Sequence, residues 1–152
     1  MVVLHVDDDA DDRELFLDAI KEISPSIICL TAGDGIEAQE LWDRNPNALH
    51  LDFIFLDINM PKMNGLELLE VIRTHNRFKH VPVYFLSTSS NESEISMITS
   101  LGAGYLPKQA NFERIVADLS SIIFPQKKVS EPIRLIPKVD ADLTNGRRIK
   151  QF

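Results

Sequence analysis

Residues 53–57 read Phe53-Ile54-Phe55-Leu56-Asp57, four consecutive apolar residues closed by a carboxylate. So short a run, with no polar alternation, suits a strand covered on both faces. Such a strand needs neighbours of its own kind, and the chain supplies them. Val2–Val6 is apolar except for His5, and Asp7-Asp8-Asp9 follows it. Ile27, Ile28 and Leu30 mark a second strand. Val83-Tyr84-Phe85-Leu86 is another buried one, ended by Ser87-Thr88-Ser89-Ser90. Gly102-Ala103-Gly104 turns into a short strand at Tyr105-Leu106, and Lys108 comes just after it.

Amphipathic stretches separate these runs. Leu15, Phe16, Ala19, Ile20 and Ile23 recur at three-and-four spacing, and Ser24-Pro25 ends that helix. Gly33-Asp34-Gly35 makes a turn before a helix with Ala38, Leu41 and Trp42 on one face, which runs to Asn45-Pro46. Pro61 and Gly65 punctuate the loop before a helix carrying Leu66, Leu69 and Ile72. Asn91, with Glu94 three residues on, predicts a helix cap, and Ile95, Ile98 and Leu101 follow. The last helix shows Phe112, Ile115, Val116, Leu119, Ile122 and Ile123 as one stripe, stopped by Pro125. Five strand–helix units in this order predict an α/β fold. Its doubly wound parallel sheet has helices on both faces, because each crossover is long and right-handed.

The chain has 152 residues, 44% of them apolar and 26% charged, ordinary values for one soluble domain plus a tail. Residues 1–124 are read as the domain and residues 125–152 as an extension without a domain of its own. The extension holds Pro125, Pro132 and Pro137 and no sustained periodicity. It also carries seven Lys/Arg against three Asp/Glu, so the net −7 of the chain divides into −11 for residues 1–124 and +4 for the tail. An acidic body speaks against a direct nucleic-acid surface. No apolar run is long enough to span a membrane, and no secretory leader is apparent. The single cysteine, Cys29, forms no intrachain disulfide and fits a cytoplasmic setting. Cys29 and Trp42 read as packing residues. His5, His50, His75 and His80 lack metal-like spacing and read as structural or solvent-facing, with His5 packed in its strand. No phosphate-binding glycine motif occurs.

In a doubly wound sheet the carboxyl ends of the strands share one edge, where ligands bind. Four of the apolar runs end there in reactive or charged groups: Asp7, Asp8 and Asp9, then Asp57, then Ser87 and Thr88, then Lys108. Crowded carboxylates repel unless a proton or cation intervenes, and an all-oxygen donor set with open positions suits Mg²⁺. A carboxylate can attack phosphorus to form an acyl phosphate, a reaction that depends on positioning and charge neutralisation. Lys108 can neutralise one phosphoryl oxygen, and the Ser87 hydroxyl can donate to another. Asp9, Asp11 and Asp12 read as capping and solvated first-turn charge.

Four blocks in order, Val6-Asp7-Asp8-Asp9, Leu56-Asp57-Ile58-Asn59-Met60-Pro61-Lys62-Met63-Asn64-Gly65, Leu86-Ser87-Thr88-Ser89 and Gly104-Tyr105-Leu106-Pro107-Lys108, resemble the receiver domains of two-component response regulators. The resemblance spans residues 1–124. It implies a flavodoxin-like sheet of strand order 2-1-3-4-5 and a single-domain, chemotaxis-regulator-like switch. It implies Asp57 as phosphoacceptor, Mg²⁺ bound by Asp8, Asp7, Asp57 and the main-chain carbonyl of Asn59, Ser87 as switch hydroxyl, and Lys108 paired with Asp57 or its phosphate. Tyr105 resembles the family's switch aromatic. Two positions depart from the pattern. Gln109 stands where proline usually follows the lysine, so the Lys108–Gln109 bond is expected trans, and Thr88 stands where a small residue is common.

The implied partners are a histidine kinase or phosphotransfer protein and a downstream protein. A homodimer supported by Ile133, Leu135, Ile136 and Val139 of the tail is a further expectation. Two rivals stand beside this reading. A phosphatase built on a strand-end aspartate needs a second acid two residues on, where this chain has Asn59, so turnover of external substrates is not expected. A degenerate receiver would act as a phosphate-independent binding module, but such domains usually lose an acid or the lysine, and both are retained here.

Overall fold

The computed structural model describes residues 1–44 and 49–125. The elements alternate strictly: β1 Val2–Val6, α1 Ala10–Ile23, β2 Ile28–Ala32, α2 Gly35–Asp43, β3 Phe53–Asp57, α3 Gly65–Thr74, β4 Val83–Ser87, α4 Glu92–Ser100, β5 Gly104–Pro107 and α5 Phe112–Ile123. All four strand pairings are parallel and the order is β2-β1-β3-β4-β5. The expected topology is therefore observed. Register places Val6 opposite Leu56 and Asp57 opposite Leu86, so the first, third and fourth strands end at one level.

Strand periodicity divides the core in two. Leu4, Val6, Ile54 and Leu56 face one side of the sheet, where they pack with Trp42, Leu68, Leu69, Ile72 and Ile98 from α2, α3 and α4. Val3 and Phe55 face the other side and meet Phe16, Ile20, Leu119 and Ile123 from α1 and α5. His5 lies on this second side, 1% exposed, its ring stacked 4.0 Å from that of Phe16. Burying a side chain the size of Phe55 contributes roughly 2–3 kcal/mol. The unbroken run that predicted a two-sided strand thus serves two cores with alternate residues.

The helix starts are capped by side chains. Asp9, Asp34, Asn64, Asn91 and Asn111 each accept from backbone N–H groups of the first turn. Asn91 caps α4 as expected, its side chain accepting from the Ser93 N–H. A reciprocal capping box forms at Asn64 and Glu67. The predicted stripes are too broad: Leu15, Leu101 and Phe112 are exposed, and Ile28 lies open at the start of edge strand β2. Pro125 follows α5 as expected. Asn45-Pro46, and the tail's Pro132, Ile133, Leu135, Ile136, Pro137 and Val139, lie outside the described residues. Among the described residues no helix is long and apolar enough to cross a membrane.

Candidate functional site

β1, β3, β4 and β5 bring their carboxyl ends together, and the polar residues that follow meet there. The Asp7 N–H donates to the Ala32 carbonyl, extending the β1–β2 ladder by one residue. Asp7 is 1% exposed, its Oδ1 accepts from the Asp9 N–H, and its carbonyl accepts from the Arg13 guanidinium. Asp57 closes β3 and is 9% exposed. Carboxylate oxygens of Asp7, Asp8 and Asp57 lie within 4.8 Å of one another, with Asp8 on the exposed side. Asn59, two residues beyond Asp57, is exposed.

Lys108 reaches this group from β5. Its N–H donates to the Ser87 carbonyl at 2.8 Å, which continues the Ser87–Pro107 pairing and sets the side chain beside the cluster. The ammonium donates to Asp7 Oδ2 at 2.8 Å and to Asp12 Oδ2 at 2.7 Å, and lies 3.4 Å from Asp57 Oδ1. Lys108 therefore does sit against Asp57, but its two shorter bonds go to Asp7 and Asp12. The role of Asp12 corrects its reading as mere solvated helix charge. The backbone has no cis peptide among the described residues, so the Lys108–Gln109 bond is trans as expected.

The electrostatics follow from burial. Burial is the largest influence on Asp57 and pushes its carboxyl up to about 6; Lys108 pulls it down and Asp7 pushes it up again. Burial also raises Asp7, against the hydrogen bond from Lys108. For Lys108, burial works to lower the value, but its bonds to Asp12 and Asp7, with the charge of Asp57, outweigh burial and hold the ammonium above the ordinary lysine range. His5, buried and near Lys108 and Arg13, is pushed down to about 3 and is neutral. Two strained carboxyls beside a third make a site that a hard divalent cation would relieve, and oxygen-only donors match such an ion. The residues present fit Mg²⁺.

Ser87 is 3% exposed, and its hydroxyl oxygen accepts from the Ser89 N–H at 3.0 Å. Tyr105 is half-buried against the core of the α2–α4 side, and its hydroxyl donates to the Ser89 carbonyl. Both switch candidates are thus tied to the same loop. Thr88 is exposed.

Two residues of the site escaped the sequence reading. Asp12 is one of five carboxylates in six positions, and nothing in that crowd marks which one turns toward a lysine 96 residues away. Gly65 read as loop punctuation and as the end of the receiver-like block, with no packing role against Asp57. Its N–H donates to the Ile58 carbonyl, and a Cβ on it would lie 2.2 Å from the Asp57 carbonyl oxygen. Helix α3 can approach the end of β3 this closely only because the position has no side chain.

Fold and site define a receiver of the response-regulator type, and comparison with known proteins agrees. The sequence model of the response regulator receiver domain matches residues 3–120, so the chain belongs to that family, whose members are phosphorylation-dependent signalling switches. It is 35% identical over 104 residues to the chemotaxis protein CheY1 of Helicobacter pylori, covering 68% of this chain and 79% of CheY1. It is 32% identical over 123 residues to the transcriptional regulatory protein CpxR of Escherichia coli K12, covering 80% of this chain and 48% of CpxR. Among solved structures it resembles the phosphorylated cyanobacterial phytochrome response regulator RcpA, at TM-score 0.71 and 31% identity, over 80% of this chain and 89% of RcpA. It also resembles the Mn²⁺-bound form of response regulator Rcp1, at TM-score 0.70 and 28% identity, over 86% and 98% of the two chains.

Proposed function

We propose that this chain is a receiver that accepts a phosphoryl group on Asp57 and signals through protein–protein contacts. The observation that carries this reading is the buried Asp57 carboxyl, grouped with Asp7 and Asp8 within 4.8 Å and faced by the Lys108 ammonium. An Asp57 carboxylate oxygen attacks phosphorus, the bond from phosphorus to the donor's leaving atom breaks, and the donor departs with that electron pair. Lys108 neutralises charge on the transferred group. Ser87 has its hydroxyl proton free to donate, because its oxygen is the acceptor in the bond from Ser89. Asp8, Asp7, Asp57 and the Asn59 main-chain carbonyl would hold Mg²⁺, which when bound supplies charge neutralisation for the phosphoryl oxygens.

Ser87 and Tyr105 both engage Ser89, so a Ser87 hydroxyl drawn toward a phosphoryl group would pull on the loop that holds Tyr105. That links the site to the surface around α4 and β5. The phosphoryl donor is a histidine kinase or phosphotransfer protein, and the output partner is another protein. Asn59 in place of a second acid leaves no group to protonate a leaving alcohol, so the chain is not an enzyme toward external substrates. We place the receiver at residues 1–124, the extension at 125–152 and the protein in the cytoplasm. Self-association through the extension belongs to the same proposal.

Intact-mass measurement after incubation with Mg²⁺ and acetyl phosphate tests this. One phosphoryl adduct is expected, dependent on Mg²⁺ and missing in Asp57→Asn. Absence of an adduct with acetyl phosphate and with every other acyl-phosphate or phosphoramidate donor would overturn the reading in favour of a phosphate-independent binding module.

A further inference from the structure

We infer that Asp12 is a positioning residue for phosphoryl transfer, one that holds the Lys108 ammonium toward α1 and away from Asp57. This rests on Asp57 being the phosphoacceptor. An ammonium has three hydrogens to donate. Two are committed at short range, to Asp12 Oδ2 at 2.7 Å and Asp7 Oδ2 at 2.8 Å, while Asp57 Oδ1 stands at 3.4 Å. Asp12 is well placed to compete. It lies in the first turn of α1, where exposed backbone N–H groups favour a carboxylate, and its own N–H is held by the Asp9 side chain.

The residue after Lys108 is tethered in the same direction. The Gln109 side-chain amide donates to Asp118 Oδ2 on α5 at 3.2 Å. The segment following β5 is therefore tied to both helices of the α1–α5 side, and the lysine reaches Asp57 from a backbone fixed there. A phosphoryl group on Asp57 must compete with Asp12 for the position of the ammonium, even with the third hydrogen uncommitted. Asp12 thus sets how readily the lysine is released.

Asp12 is 40% exposed, so its hold on Lys108 has the strength of a partly screened ion pair. Its loss is worth about fivefold in rate. Asp12→Asn is expected to take up phosphoryl from acetyl phosphate with Mg²⁺ about fivefold faster than the unaltered chain, followed by intact mass. Asp11→Asn removes an equal charge from the neighbouring, exposed position and is expected to change the rate less than twofold. Loss of a merely structural contact would slow the reaction, so acceleration reports release of the lysine. An Asp12→Asn rate equal to or below that of the unaltered chain would overturn the inference, as would an equal rise in Asp11→Asn. An adduct retained in Asp57→Asn would instead overturn the phosphoacceptor assignment on which it rests.

Discussion

Replacing Gly65 with alanine tests how tightly α3 is set against the phosphoacceptor strand. The added Cβ would lie 2.2 Å from the Asp57 carbonyl oxygen and 2.8 Å from a ring carbon of Phe85. The first neighbour is backbone at the end of a central strand and the second is a fully buried ring, so neither yields without moving the core. Overpacking of this kind costs about 3 kcal/mol, the upper part of its usual range. Alanine returns up to about 1 kcal/mol through helix propensity and a less disordered unfolded chain. The net expectation is a loss of about 2 kcal/mol, equivalent to a fall in Tm of roughly 8 °C for a domain of this size. Urea unfolding of Gly65→Ala beside Gly102→Ala separates crowding from backbone conformation. Gly102 has φ +71° and nothing within 4 Å of an added Cβ, so its substitution carries only the left-handed penalty of about 1 kcal/mol. A Gly65→Ala protein within about 0.5 kcal/mol of the unaltered one would refute the close approach of α3 to Asp57.

Two further outcomes are expected. Asp57 has its folded pKa raised to about 6, so the fold favours its protonated form, and stability falls as pH rises from about 4 to about 6. Without divalent cation, Asp57→Asn should therefore be more stable than the unaltered chain by about 3 kcal/mol at pH 7.5, an advantage that falls to about 1 kcal/mol at pH 4.5. Urea midpoints at the two pH values measure this, and an equal difference at both would sink the burial argument. Asn64→Ala removes the side-chain acceptor of the Glu67 N–H, leaving the backbone N–H of residue 64 on the Glu67 carboxylate, and should cost about 1 kcal/mol, read as a lower urea midpoint at unchanged slope. An unaltered midpoint would mean that the Asn64 side chain adds nothing to the α3 start beyond Gly65 packing and the remaining bond to Glu67.

Much of the site could be read from the chain because the signal is local. Apolar runs that stop abruptly at Asp7, Asp57, Ser87 and Lys108 mark strand ends, and parallel topology gathers such ends on one edge. Where the reading failed, the deciding contact was distant or geometric. Three-and-four spacing put Leu15, Leu101 and Phe112 in the core, yet Leu101 is the cap residue after α4, Phe112 is the first residue of α5, and Leu15 is exposed next to the buried Phe16. Asn91–Glu94 and Asn64–Glu67 offer the same pattern, and only the second closes into a box, because the pattern does not specify where the glutamate side chain points.

The sequence by itself determined the order of elements, the doubly wound topology and the family of the chain, since periodicity and strand-end chemistry are written residue by residue. Tertiary structure alone decided how the charges are shared. Asp12 and Lys108 lie 96 residues apart, and their 2.7 Å bond exists because the Lys108 side chain, just past β5, reaches the first turn of α1 at the shared edge of strand ends. The upward shift of Asp57 likewise comes from burial that only the packed fold creates, because desolvation belongs to the enclosed site and not to any one residue.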